Sequence, residues 1–85
     1  MLYFLDTSAV VKRYHVEPGS TVIIDLFDTA DSQLVVCSLS LAETTGVLAR
    51  RQRRGDVSVE DFEAARFRLA LDLSTERVGI IDIER

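Results

Sequence analysis

The sequence predicts an α/β fold, a parallel sheet flanked by helices in the order β-α-α-β-α-α-β. Three observations carry this. Short apolar runs recur at Leu2 to Leu5, Gln33 to Cys37 and Val78 to Ile83, each with the length of a buried strand. Two stretches of helical periodicity separate each run from the next. Strands alternating with helical segments belong to parallel sheets with helices packed on them, joined by right-handed crossovers.

The first strand, Leu2 to Leu5, is continuously apolar, as a strand covered on both faces requires, and Tyr3 and Phe4 are read as core. A short helix follows, roughly Ser8 to Tyr14, and the Glu17-Pro18-Gly19 turn ends it. A second helix opens at Gly19 or Ser20 and presents Val22, Ile23, Leu26 and Phe27 on one face. After the strand Gln33 to Cys37, Ser38 or Ser40 starts a helix that stops at Gly55, a natural C′ residue. Ser58-Val59-Glu60-Asp61 has the form of a capping box with Asp for Glu. Val59, Phe62, Ala65, Leu69, Ala70 and Leu73 then mark an amphipathic helix to about Leu73. The sequence stops just after the third strand. A doubly covered parallel sheet wants more strands, so residues 1–85 are read as the N-terminal part of a single domain, truncated before its last strands.

Composition narrows the function classes. Of the 85 residues, 47% are hydrophobic and 28% charged, which favours one folded domain over disorder. A single cysteine, Cys37, excludes an internal disulfide and reads as a small core residue. No signal peptide is visible and no segment approaches the ~20 apolar residues of a membrane span, so a cytoplasmic location and no membrane partner are expected. The net charge of −4 argues against non-specific coating of nucleic acid and suits a site for a cation. The basic residues are nevertheless clustered: Arg50, Arg51, Arg53 and Arg54 lie together at one helix end. They either complement the helix macrodipole or meet phosphates.

Two carboxylates stand where an α/β sheet places its ligands, outside the carboxyl ends of the strands. Asp6 follows the first strand directly. It is either the N-cap of the next helix, a role worth about 1 kcal/mol, or a metal ligand. Glu43 lies one turn into the helix after the second strand. It either closes a Ser40–Glu43 capping box or, if Ser38 starts the helix, is free for another role. Two carboxylates meeting at one edge repel each other unless a cation lies between them, and such oxygen donors suit Mg²⁺ or Mn²⁺. A phosphoacceptor or phosphatase domain built on Asp6 is disfavoured: no second aspartate follows two residues on, and no later lysine stands at a comparable strand end. His15, Lys12 and Arg13 read as surface residues of a helix and its turn.

Leu5-Asp6-Thr7-Ser8-Ala9-Val10-Val11-Lys12, then Glu17-Pro18-Gly19, then Val36-Cys37-Ser38-Leu39-Ser40-Leu41-Ala42-Glu43, then Leu48-Ala49-Arg50-Arg51, resemble the first half of a PIN-domain ribonuclease. The nearest subgroup is the VapC-type toxins of type II toxin–antitoxin systems. The resemblance implies a PIN-like fold and a Mg²⁺-dependent (or Mn²⁺-dependent) endoribonuclease that acts on RNA, is restrained by a cognate antitoxin, and forms a homo-oligomer. It implies Asp6 and Glu43 as catalytic and metal-binding residues and Thr7 or Ser8 as the hydroxyl that lines the site. On the nuclease reading, the basic patch of Arg50, Arg51, Arg53 and Arg54 would supply the RNA contacts. The family carries a third acidic residue, often followed by a fourth, beyond the point where this sequence stops. Asp82, inside the last apolar run, is a poor substitute. The expected function is therefore metal-dependent RNA cleavage, inactive if the incomplete acidic set does not suffice. The alternative is an inactive PIN-like interaction module that binds an antitoxin or a homologous subunit.

Overall fold

The structure is a computed structural model that describes residues 1–82. It is α/β: β1 (Leu2–Leu5), α1 (Thr7–Tyr14), α2 (Ser20–Asp28), β2 (Gln33–Cys37), α3 (Ser38–Arg53), α4 (Val59–Ser74) and β3 (Val78–Ile81). The strands form one parallel sheet in the order β1-β2-β3. The end of the last predicted strand, Ile83, lies outside the described residues.

Register explains which strand residues face the core. Tyr3 pairs with Leu34 and Leu5 with Val36, while Leu34 pairs with Val78 and Val36 with Ile80. These residues share one face. Leu5, Leu34, Val36 and Val78 form the core there with Val10 of α1 and Phe27 of α2, and Ile23, Leu26 and Leu41 pack around them. The helices form a single layer: α1 touches α2, α3 and α4. Two right-handed crossovers that advance in the same direction across a sheet put all their helices on the same side. The other face carries Leu2, Phe4, Val35, Gly79 and Ile81. Leu2 and Phe4 are 63% and 61% exposed. The expectation that β1 is covered on both faces, with Phe4 in the core, is thus corrected: Leu5 is buried and Tyr3 partly so, while Leu2 and Phe4 face away from the helical layer. Val22 of α2 and Val59 and Ala70 of α4 are likewise exposed, at the margins of their helices' apolar faces.

Local chemistry sets the helix ends. Ser58 caps α4 by accepting from Asp61 N–H, as the sequence predicts. Gly55, with φ +83°, ends α3 in a Schellman motif: Asp56 N–H donates to the Arg51 carbonyl and Gly55 N–H to that of Gln52. The same pair of bonds closes α4, but the residue in the left-handed conformation is Glu76, φ +58°. A side chain there costs on the order of 1–2 kcal/mol. The turn delivers Arg77 to the far end of α2, where its guanidinium donates to the carbonyls of Leu26, Phe27, Thr29 and Ser32. One planar fork thus satisfies acceptors that the end of α2 and its loop leave open.

A second buried polar contact ties α1 to α4. Asp72, 5% exposed, accepts from Arg13 Nε and Nη2, both at 3.2 Å, and from the Tyr14 hydroxyl at 2.8 Å. The Arg13 guanidinium also lies over the Phe27 ring, 4.5 Å from its centroid. Burial, and then the Asp72 carboxylate beside it, push the Tyr14 hydroxyl well above the ordinary tyrosine range. Arg13 is therefore a structural cation in the helical layer, not a member of a solvated face. No helix among the described residues is long and apolar enough to cross a membrane.

Candidate functional site

The carboxyl ends of β1 and β2 lie side by side, with Leu5 opposite Val36. The chain leaves both ends directly into helices: Asp6 is the N-cap of α1, and α3 begins at Ser38. These two helices pack against each other, and both are anchored by buried side chains: Val10 and Val11 in α1, Thr44 and Leu48 in α3, with Thr44 at 0% exposure. The start of α1 therefore has a fixed position against the first turns of α3, and two exposed carboxylates sit there.

Asp6 is a true N-cap. Its Oδ1 accepts from Ala9 N–H and from the Ser8 hydroxyl, both at 2.9 Å. These bonds, the Ala9 one first, hold its carboxyl below the ordinary aspartate range, with Lys12 adding a smaller favourable field. Asp6 stays ionised at neutral pH. Both recorded bonds use Oδ1, so the cap occupies one oxygen of the carboxylate. The sequence left N-cap and ligand as alternatives, and this geometry is compatible with both at once.

Glu43 does not form the Ser40–Glu43 capping box. The N-cap of α3 is Cys37, without a side-chain cap bond, and Glu43 lies in the second turn of the helix. Its Oε2 instead accepts from the Thr7 hydroxyl at 3.2 Å. That bond joins α1 to α3 across the site and fixes Glu43 on the Asp6 side. Thr7 and Ser8 thus each hold one carboxylate, and all four residues singled out at this edge come together.

The arginines divide. Arg51 Nη1 donates to Glu17 Oε2 at 3.0 Å and to His15 Nδ1 at 2.6 Å, tying the end of α3 to the turn before α2. His15 is half-buried by this contact, not the surface residue the sequence suggested. Lys12 reaches the other Glu17 oxygen at 3.4 Å. Arg54 pairs with Asp56 at 3.4 Å in an exposed ion pair. Arg50 and Arg53 are exposed, and their guanidinium groups make no hydrogen bond or ion pair among the described residues. Asp82 is exposed beyond the end of β3, and β2 separates that strand from β1.

Among the described residues no group of three or more His, Cys, Asp or Glu side chains is arranged to hold a metal ion. Asp6 and Glu43 make a two-carboxylate set. Hard, solvent-facing carboxylate oxygens fit Mg²⁺ or Mn²⁺, because Mg²⁺ keeps several waters and commonly takes one or two carboxylates plus substrate phosphates. Cys37 is buried and takes no part.

Sequence reasoning missed the buried cluster of Arg13, Tyr14 and Asp72. One signal for it was present: Asp72 falls seven residues after Ala65 and three after Leu69, on the apolar stripe of α4. An acid on such a stripe needs a buried partner. No family model, curated protein or solved structure matches this chain.

Proposed function

We propose that the chain carries the metal-binding edge of a PIN-like, VapC-type endoribonuclease, with Asp6 and Glu43 as the ligands of a Mg²⁺ or Mn²⁺ ion. The observation that supports this most is that both carboxylates stand at the same sheet edge, each bonded by a hydroxyl from the sequence Thr7-Ser8. Bound there, the ion would neutralise phosphate charge and lower the pKa of a coordinated water. The protein's own contributions are positional. Ser8 and the first turn of α1 keep Asp6 ionised and fixed. Thr7 restrains Glu43 and leaves its other oxygen available to ligate or to accept a proton from water. Each carboxylate is thereby oriented before substrate arrives, which removes reorganisation from the reaction step.

The test is cleavage of single-stranded RNA by the purified chain with Mg²⁺ or Mn²⁺. Glu43→Gln keeps shape and removes charge, and it is expected to lower the rate by about 10²-fold or more. A chain that cleaves no RNA with either ion, or a Glu43→Gln variant as active as the parent, would overturn the reading.

A second reading has its own observation. Among the described residues the face bearing Leu2, Phe4 and Ile81 is apolar and exposed, and β1 is an edge strand. Such surfaces invite another chain. On this reading the chain is an interaction module that binds a homologous subunit or an antitoxin. It is expected to self-associate in sedimentation at micromolar concentration, and Phe4→Lys is expected to reduce that association. A monodisperse monomer that also fails to bind a cognate antitoxin would count against it.

A further inference from the structure

We propose that Arg50, unlike Arg51, Arg53 and Arg54, is the phosphate seat of the Asp6–Glu43 site, gripping a phosphate that flanks the one being cleaved. This rests on the nuclease reading of that site and names the part of the substrate that the site recognises outside its reacting centre.

Helical geometry selects Arg50. At about 100° per residue, Arg50 returns to within about 20° of Glu43 around the axis of α3, ~10 Å further along it. Arg51 and Arg53 fall about 80° to either side by the same spacing. Arg54 shares the Glu43 direction, but it lies ~16 Å along the axis and is paired with Asp56. Arg51 is occupied by Glu17 and His15. Only Arg50 is exposed, unpaired among the described residues and aligned with Glu43.

Gly46 adds an independent observation. It lies between Glu43 and Arg50 on the same face, and a Cβ built on it would stand 3.4 Å from Arg50 Nη1. The guanidinium is thus folded back along the helix, over bare backbone, toward Glu43. Long helical side chains lean toward the N-terminus, and a glycine one turn earlier leaves that path open. The result is a track on α3, exposed at both ends, that runs from the carboxylate edge to a planar, always-charged donor fork. A metal-bridged phosphate at one end and an arginine-held phosphate at the other suit a flexible polynucleotide strand, since arginine engages phosphate oxygens bidentately.

The test is binding of a fluorescently labelled single-stranded RNA oligonucleotide, followed by anisotropy in EDTA across a series of salt concentrations. Without a divalent ion no cleavage complicates the reading. Arg50→Gln is expected to weaken binding about tenfold. It should also reduce the slope of log affinity against log salt by about 0.7, the loss of one phosphate contact on a single strand. Arg50→Lys should restore most of the slope, and Arg53→Gln should leave it unchanged. An Arg50→Gln slope equal to the parent's, or an equal loss in Arg53→Gln, would overturn the seat while leaving the carboxylate site standing. A parent chain that binds no single-stranded RNA, with EDTA or with Mn²⁺, would instead remove the nuclease reading beneath it.

Discussion

Asp72→Ala is expected to cost about 3–5 kcal/mol of folding stability, as removal of one partner from a buried ion pair typically does. The carboxylate accepts from both Arg13 and Tyr14. Its loss leaves a guanidinium and a phenol buried between α1 and α4 without their acceptor. A chain of this size has on the order of 4–13 kcal/mol in total. The variant should therefore be largely unfolded or close to it, with a urea midpoint far below the parent's. Asp72→Leu combined with Arg13→Met replaces the pair by apolar groups and should recover much of the loss, because the cost lies in the orphaned charge more than in the missing pair. Urea titration followed by circular dichroism measures both. Additive single-variant losses would show that the two side chains do not act as a pair.

Asp6→Asn separates two roles that occupy one residue. Asparagine caps helices about as well as aspartate, so the Ala9 N–H keeps an acceptor and stability should change by no more than about 0.5 kcal/mol. The negative charge is lost, and metal-dependent RNA cleavage should fall by about 10²-fold or more. Asp6→Ala removes the cap as well and should cost about 1 kcal/mol in addition. A large loss of stability in Asp6→Asn would mean that the carboxylate serves the fold. Unchanged stability with lost cleavage would assign it to the site.

The legible part of this chain was the part governed by local rules. Apolar runs, Ser58 and Gly55 marked strands and helix ends because each acts through its neighbours in sequence. The placement of Asp6 and Glu43 at one edge was legible for a topological reason: two successive parallel β-α units put their helix starts at the same end of the sheet. What stayed hidden depended on distant partners. The Ser40–Glu43 pattern suggested a capping box, yet α3 begins at Ser38, and the partner of Glu43 is Thr7 on another helix. The four carbonyls that Arg77 serves, and the burial of Asp72 against Arg13, arise only when helices far apart in sequence pack. The exposure of Leu2 and Phe4 follows from strand order, which an apolar run does not encode.

The central claim is that Asp6 and Glu43 together hold one divalent ion, and Mn²⁺ binding tests it without reference to activity. Calorimetric titration of the folded chain is expected to show one site, weakened tenfold or more in both Asp6→Asn and Glu43→Gln, and weakened less in Thr7→Val, where the Glu43 carboxylate remains but is no longer restrained. Binding that is absent in the parent, or unchanged when either carboxylate is replaced, would contradict it.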